Sequence, residues 1–584
     1  VCFFQRDKKL IEKSGLFDAQ YYLDSNPDLK ILNIDPLEHF VMSGWREGRN
    51  PSAQFNTKFY LRTYHESIPE DQNPLIHYIK KGQKEGKSAL PGKDQPAQFE
   101  SFTPVFKKKK LLSRRNLQFG IAYIQSYGLM SFINKVFSKL FQKTMFFGRG
   151  KSSPVKMLEE SQNTVLLKAT DYDIQPNDVT ISIVIPCKNA GDEFQFLLKM
   201  LQAQKGFKHI ELVIVDSGST DQTLEIAHRF KAKVVEIKPE DFSHSYARNL
   251  GAEHATGDYL LFTVQDALPS SDTWLHELYT VLIDNEVAAV SCAETPKEDA
   301  DLFYRQICWN HYNFLGVNNA DRIFSLPKTQ NHLTLRQNGQ LSDLANLISR
   351  ELFNQYKYRL NYAEDIDLGI RLIKDGHKLA FLGTTRIIHS HNRQPYYFLK
   401  RGYVDNQFLS DIFDDFVVPK LAIEDFVPDI AFTYSFLADL SSKINALSYP
   451  LKPEHFEIFV QNQFDDYLSQ RFPAALPDTS HVFLDDQAQT YLESLITEHG
   501  FHMAGKAYNG TLLRAYFGYI EITTRYLKNA YELINPDLAQ DILACLYKAF
   551  CIVVGAHLAY CYKNKTGREK LNMDAMHQTL MAGV

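Results

Sequence analysis

Five polar clusters in this chain carry residue types that could do chemistry. The first pairs Pro186-Cys187-Lys188-Asn189 with Asp216-Ser217-Gly218-Ser219-Thr220-Asp221, and each stretch directly follows an apolar run. A carboxylate such as Asp216 can accept hydrogen bonds from a base or ribose, and Gly218 lets the backbone come close to a ligand. A structural reading is also open: Ser219 with Gln222 as a helix capping box, and Asp221 as a first-turn acid. The second cluster is Ser243-His244-Ser245-Tyr246-Ala247-Arg248-Asn249. The Arg248 guanidinium suits phosphate oxygens in bidentate fashion, or it could pair with Asp258. In Val264-Gln265-Asp266-Ala267 the carboxylate could hold a magnesium or manganese ion bridging a diphosphate, or simply cap a turn.

The fourth cluster is Glu364-Asp365-Ile366-Asp367-Leu368. Ile366, Ile370 and Ile373 form an apolar stripe at helical spacing. That leaves the acids at the helix start, where acids are favoured and where one could take a proton from an attacking hydroxyl. The fifth is His389-Ser390-His391, following Arg386-Ile387-Ile388. Alternation along an extended segment puts both rings on one face, a metal-ligand geometry, although a lone histidine is more often structural.

The elements that must position these clusters alternate between 176 and 400. Strands are predicted over 181–186, 211–216, 233–237 and 257–262, and helices over 193–204, 221–230 and 245–254. Alternating strands and helices predict an α/β unit with a mostly parallel sheet covered on both faces. Ligands of such sheets bind at the carboxyl ends of the strands, where the clusters fall. No G-x-G-x-x-G follows any strand, which argues against a nucleotide-dependent redox enzyme. From about 405 onward the chain reads as helical, with no chemistry visible there.

The first ninety residues repeat with an offset of 38. Phe17-Asp18-x-x-Tyr21-Tyr22-Leu23 returns as Phe55-Asn56-x-x-Phe59-Tyr60-Leu61, Pro36-Leu37-x-His39 as Pro74-Leu75-x-His77, and Gly44-x-x-Glu47-Gly48 as Gly82-x-x-Glu85-Gly86. Such a period marks a repeated supersecondary unit. Each unit reads as two short helices, the second opened by proline and closed by glycine. Gly82–Ser88 superficially resembles a phosphate loop. It has three residues between its glycines where that loop has four, and its repeat partner marks it as a structural turn. From 106 to 151 there are eleven Lys or Arg and no acid. A basic amphipathic helix there could lie on an anionic membrane surface, or the stretch is a solvated linker with a packed helix. No nucleic-acid recognition motif accompanies the charge.

The bulk numbers fit this picture. The 584 residues carry a net charge of −5 and are 44% hydrophobic and 23% charged, so several ordinary globular domains are expected. Seven cysteines without a Cys-x-x-Cys pair argue against structural zinc and for a reducing compartment. The start at Val1 is read as trimmed, without a signal peptide. No apolar run reaches the ~18–20 residues of a membrane span; the most apolar stretch, 549–559, is read as a buried helix.

The ordered set Ile183-Val-Ile-Pro-Cys-Lys-Asn189, Val215-Asp-Ser-Gly-Ser-Thr-Asp221, Ala247-Arg-Asn249, Gly257-Asp-Tyr259, Gln265-Asp-Ala267 and Glu364-Asp-Ile-Asp-Leu368 resembles family 2 glycosyltransferases of the GT-A (Rossmann-like) fold. The Phe242–Pro269 stretch is most similar to their rhamnosyltransferase-type branch. The likeness covers roughly 220 residues. It implies an inverting transfer from a nucleoside-diphosphate sugar, with dTDP-rhamnose the named candidate, to a hydroxyl of a surface polysaccharide or lipid-linked glycan. By this resemblance Asp216 contacts the base, Arg248 the diphosphate and Asp266 a magnesium or manganese ion. His391 is a further metal or diphosphate ligand, and Asp365 receives the acceptor proton. Pro186, Asn189, Ser217, Gly218 and Gln265 complete the donor-binding set. Val264 stands where the family's Asp-x-Asp motif has its first acid, so metal binding is expected either to be weaker or to rely more on His391 and the phosphates.

The division expected is a helical repeat module (1–98), a basic linker (99–175), a GT-A domain (176–405) and a helical C-terminal domain (406–584). The repeats also resemble modules on some bacterial polysaccharide glycosyltransferases. Donor and glycan acceptor are the expected partners, with other polysaccharide-assembly proteins beside them and no nucleic acid. The expected location is cytoplasmic, peripheral on the inner membrane face through 106–151. Two rivals are a nucleotidyltransferase, which would need a Gly-rich basic loop not seen after the first strand, and a non-catalytic glycan-binding scaffold.

Overall fold

The computed structural model describes residues 2–25, 35–45, 48–64, 67–68, 72–90, 174, 176–318, 320–468, 484–498 and 511–582. The basic stretch 106–151, with its membrane-helix reading, lies outside the described residues.

A nine-stranded sheet organises the centre of the chain: β1 (Asn177–Cys187), β2 (Phe207–Asp216), β3 (Lys233–Glu236), β4 (Tyr259–Phe262), β5 (Leu268–Pro269), β6 (Ala289–Thr295), β7 (Arg322–Phe324), β8 (Asn346–Ser349) and β9 (Leu379–Ile388). The order is β3-β2-β1-β4-β8-β6-β9-β5, with β7 on β9. The strands β1, β2, β3, β4, β6 and β9 run one way, and β5, β7 and β8 run the other. The fold is therefore the expected α/β core with a mostly parallel sheet.

Residue pattern explains why it is central. In β1, Ile181, Ile183 and Ile185 enter one apolar core, against the helices Phe194–Gln202 and Trp274–Asp284. Val184 enters the opposite core with Val213, Leu260 and Phe262. Both faces are covered, so the strand reads as a continuous apolar run. The strands expected at 181–186 and 211–216 begin four residues earlier in each case, at Asn177 and Phe207. Polar residues ahead of each apolar run, Asn177-Asp178 and Lys208-His209, hid the extra length.

The N-terminal repeat has a physical cause. Tyr22 meets His39 Nδ1 at 2.9 Å, and Tyr60 meets His77 Nδ1 at 3.0 Å, each 17 residues apart. Both tyrosines are fully buried. A Cβ on Gly44 would lie 1.9 Å from the Tyr22 hydroxyl, and one on Gly82 would lie 2.1 Å from that of Tyr60. Glycine is thus required where the tyrosine tip crosses the second helix. We expect Gly82→Ala to destabilise this segment by about 1–3 kcal/mol, because a filled core resists an added methyl group. Thermal unfolding with Tyr60→Phe alongside checks the cause: the double variant should recover part of the loss.

The repeats are pinned to the sheet domain. Lys58 Nζ lies 2.5 Å from Glu277 Oε2, with side chains 9% and 4% exposed. Thr385 Oγ1 donates to the same carboxylate oxygen at 2.6 Å. After β9 come the helices Pro395–Ile412, Ile423–Asn445, Pro453–Leu468, Asp486–Glu498, Thr511–Ala530 and Pro536–Asn564. Their core is continuous with Leu302, Phe303 and Phe398, so it packs directly on the α/β unit. Pro395–Ile412 and Pro536–Asn564 touch backbone to backbone: a Cβ on Gly402 would sit 2.0 Å from Ile552 O.

Pro536–Asn564 is long and apolar enough to cross a membrane, which corrects the expectation that no segment is. Its most apolar window is 83% buried inside the protein, as a core helix would be. Cys187, Cys292, Cys308, Cys545 and Cys551 are buried and outside any disulfide, and Cys561 is buried as well.

Candidate active site

The loops after β1, β2 and β4 are sewn together at the carboxyl ends of these parallel strands. Asn189, at φ 48°, accepts from Thr220 N through Oδ1 at 2.8 Å, and its own N–H donates to Ser219 Oγ at 2.8 Å. Gln265 holds Lys188 from both sides: Lys188 N donates to Oε1 (2.8 Å) and Nε2 donates to Lys188 O (3.2 Å). Asp216, 1% exposed, accepts from Gly218 N and Ser219 N at 2.9 Å each and from Ser219 Oγ at 2.5 Å.

Several expected donor ligands are therefore occupied in shaping the loops. Gln265 has both amide ends on Lys188. Asp216 turns back on its own loop, and Ser217, 2% exposed, points its hydroxyl at Cys187 O (3.2 Å). Pro186 is half-buried, while Asn189 and Gly218 are exposed at the rim. Gly218 has φ +85°, and its N–H is already given to Asp216. The capping box of Ser219 with Gln222 does not form: the next helix begins at Thr223 without a side-chain cap from Gln222. Asp221 instead receives Thr223 N (3.0 Å) and Gly191 N (2.9 Å).

Arg248 departs furthest from expectation. Its side chain is 1% exposed and its Nη1 lies 2.5 Å from Glu364 Oε1, with Nη2 3.8 Å from Asp343 Oδ2. It pairs neither with Asp258 nor with open solvent where a diphosphate would arrive. The reason is a long-range pair: the helix His244–His254 presents this residue inward, toward Glu364 at the start of the helix Glu364–Lys374. A buried guanidinium with a carboxylate on it is a fixed structural pair.

Asp266, His389 and His391 do come together. His391 Nε2 lies 3.3 Å from Asp266 Oδ2, His389 Nε2 lies 3.7 Å from Asp266 Oδ1, and the two Nε2 atoms are 3.2 Å apart. One ligand atom from each falls within 4.8 Å of the others, so the three form a compact N, N, O donor set. His389 Nδ1 faces Glu294 Oε2 at 3.1 Å, and the Tyr304 hydroxyl donates to the same oxygen at 2.8 Å. A carboxylate behind a ligating imidazole fixes its tautomer and raises its basicity. Burial pulls the His389 pKa down, but Glu294 and then Asp266 outweigh it, so the net shift is upward. Burial and the neighbouring His389 lower that of His391. The sequence reading placed His391 in the metal set and omitted His389.

Asp365 begins the helix Glu364–Lys374 and is half-buried. Its carboxyl is pushed well above the ordinary range by burial, then by Glu364 and Asp343. Asp343 joins the two halves of the site. It lies within electrostatic range of His389, Arg248, His244 and Asp365, and its own side chain is 50% exposed. Asp343 is thus coupled electrostatically both to His389 of the Asp266 triad and to Asp365. Neither Asp343 nor Glu294 was singled out from sequence. Glu294 follows Val287-Ala-Ala-Val-Ser-Cys-Ala293, a run of mostly small residues, which is a weaker signal than the apolar run before Asp216. Asp343 had none.

A model of the glycosyl transferase family 2 domain matches residues 182–353. These residues are a family 2 glycosyltransferase domain. The match takes in Asp216, Arg248, Asp266, Glu294 and Asp343, and ends before Asp365 and the histidines. Over 218 residues the chain is 26% identical to O-antigen chain rhamnosyltransferase WbaN of Salmonella anatum, covering 37% of this chain and 68% of that one. It is 25% identical over 217 residues to O-antigen chain rhamnosyltransferase RfbN of Salmonella typhimurium, with the same coverage. Among solved structures, TarS 1–349 of S. aureus is 16% identical with a TM-score of 0.30, over 40% of this chain and 65% of that one. The family match thus covers most of β1 and runs through β8, while β9, the helix Glu364–Lys374, the repeats and the C-terminal helices lie outside it.

Proposed function

We propose that the chain transfers a sugar, with inversion, from a nucleoside-diphosphate sugar to a hydroxyl of a growing surface glycan or lipid-linked glycan. What supports this reading is the compact N, N, O donor set of Asp266, His389 and His391, with Asp343 in electrostatic reach of both His389 and the elevated Asp365 carboxyl. The O-antigen rhamnosyltransferase relatives favour dTDP-rhamnose as donor and an O-antigen-like acceptor.

In this mechanism Asp266, His389 and His391 hold a divalent cation, and two imidazoles beside one carboxylate suit manganese better than magnesium. Such an ion supplies charge neutralisation for a leaving diphosphate. Glu294 keeps His389 oriented through Nδ1. Lys297 and Arg393 lie within electrostatic range of His391 and take over the diphosphate contact first assigned to Arg248. Arg248 instead holds Glu364, and through it the start of the helix that carries Asp365. Asp365 Oδ accepts the proton of the attacking acceptor hydroxyl. Gln265 and Asn189 keep the loops shaped for the base, with the rim around Gly218 open to it. A cytoplasmic protein peripheral to the inner membrane face through 106–151, working beside other polysaccharide-assembly proteins, fits an acceptor carried on lipid.

The test is release of nucleoside diphosphate from a panel of sugar nucleotides, with and without manganese. Turnover of one donor is expected, dependent on metal and on acceptor. No turnover across the panel in the presence of a glycan acceptor would count against the reading. Asp266→Asn should weaken manganese binding by about 10–100-fold in calorimetric titration, with His389→Ala similar. Unchanged manganese affinity in both variants would remove the triad from its role.

A further inference from the structure

The helix Pro536–Asn564 is apolar along most of its length, and Lys548 is the only Asp, Glu, Lys or Arg between Asp541 and Lys563. Its side chain is 11% exposed, with Nζ over the Phe398 ring at 5.8 Å. An ammonium group kept from water needs a partner of good geometry. Lys548 Nζ has one in Asp301 Oδ2, at 2.5 Å. Asp301 lies in the loop after β6, so this ion pair joins the C-terminal helices to the glycosyltransferase domain. Stability alone does not call for it, because an apolar pair fills such a seam as well or better.

From Asp301 two short hydrogen-bonded routes lead to the metal ligands. On the first, Asp301 is the N-cap of the helix Leu302–Leu315, and its Oδ1 accepts from Tyr304 N at 2.9 Å. The Tyr304 hydroxyl reaches Glu294 Oε2 at 2.8 Å and His389 Nδ1 at 3.1 Å. On the second, Asp301 N donates at 2.8 Å to Oδ1 of Asn392, the neighbour of His391. Asn392 Nδ2 donates to Asp299 O at 2.8 Å, and Ser390 Oγ accepts from Lys297 N at 3.2 Å. Alternate residues after β9 therefore do different work. His389 and His391 face Asp266, while Ser390 and Asn392 grip the loop 297–301. The Asp301 carboxylate serves the helix start with one oxygen and Lys548 with the other, so the C-terminal helix anchors both routes. Partners behind a ligating imidazole set its orientation and hence its hold on a metal.

We propose that Lys548 is a positioning residue of the metal centre: through Asp301 it fixes the loop and the helix start that aim His389 and His391 at the ion. The proposal rests on the metal-binding reading of the triad above. It gives the C-terminal helices, which lie outside the family match, a share in building the site.

Manganese binding to the 584-residue chain, followed by the paramagnetic resonance signal of the free ion, tests it with the metal alone and no substrate. Lys548→Met keeps an unbranched side chain and removes its charge. It should weaken manganese binding by roughly three- to tenfold, less than the 10–100-fold of a partner that touches a ligand directly. Asp301→Asn keeps a capping acceptor for Tyr304 N while breaking the ion pair, and should weaken binding to a similar extent. Lys548→Arg should restore most of the lost affinity. Lys563→Met makes the same change of charge on the same helix, where the partner is Asp411, and should leave manganese binding unmoved. Affinity unchanged in either Lys548→Met or Asp301→Asn, or lowered as much by Lys563→Met, would overturn the proposal. Thermal unfolding checks that each variant folds, and Asp301→Asn decides if Lys548→Met does not. An unmodified chain that binds no manganese sinks the metal reading and this inference with it. An unmodified chain that binds manganese, with variants that bind it equally well, sinks this inference alone.

Discussion

Asp365→Asn is expected to cut sugar transfer by about 10²–10⁴-fold, the usual contribution of a positioned base, while sugar-nucleotide binding stays near that of the unmodified chain. Asparagine keeps the shape of the side chain and removes only its ability to take a proton. The carboxyl is raised by burial, then by Glu364 and Asp343. Transfer needs it ionised, so the acid limb of the kcat/KM profile should sit above the ordinary carboxylate range near ~4. Asp343→Asn removes one of the raising charges and should move that limb to lower pH. Stability follows the opposite sign. A group whose folded pKa is raised contributes stability that is full below its unfolded pKa and is lost as pH rises through the folded value. Asp365→Asn should therefore melt no lower than the unmodified chain at neutral pH. A fall in melting temperature together with lost donor binding would mean the residue is structural.

The second large effect is on folding. Arg248→Met leaves the Glu364 carboxylate buried without its partner, and we expect a loss of about 3–5 kcal/mol in the unfolding transition of the α/β unit. The double variant Arg248→Met with Glu364→Leu should recover much of it, because two apolar side chains of similar volume replace the pair. Had Arg248 served as an exposed diphosphate ligand, the single variant would raise donor KM and leave the transition in place. Denaturant unfolding and donor KM measured on the same samples separate the two outcomes.

The strands around 181–186, 211–216, 233–237 and 257–262 could be read in advance because each is a short apolar run bounded by turn residues. The loops that follow them were then legible as a group. The partners within the loops were not. Asn189 and Gln265 look the same in sequence whether they face a ligand or a neighbouring loop, and here they bind backbone. Arg248 could be named as a phosphate ligand only because its motif was visible. The inward turn of its helix depends on Glu364, 116 residues away. Asp343 lies in the loop before β8, an antiparallel insertion between β4 and β6, and nothing local marks it. His389 and His391, read from their alternation as sharing a face, lie with their Nε2 atoms 3.2 Å apart. Of the two, Glu294, in β6, faces only His389, and nothing in the local sequence marks that difference.

The shared Glu277 carboxylate has a practical meaning for anyone who crops this chain to its catalytic core. Cutting away the first ninety residues removes Lys58 and strands a negative charge in a dry seam beside Thr385. It also strips the cover from the far side of β9, the strand that leads directly to His389 and His391. A shortened protein that fails to bind metal would then report a damaged support, and the chain with its first ninety residues kept is the proper reference for every measurement on the triad.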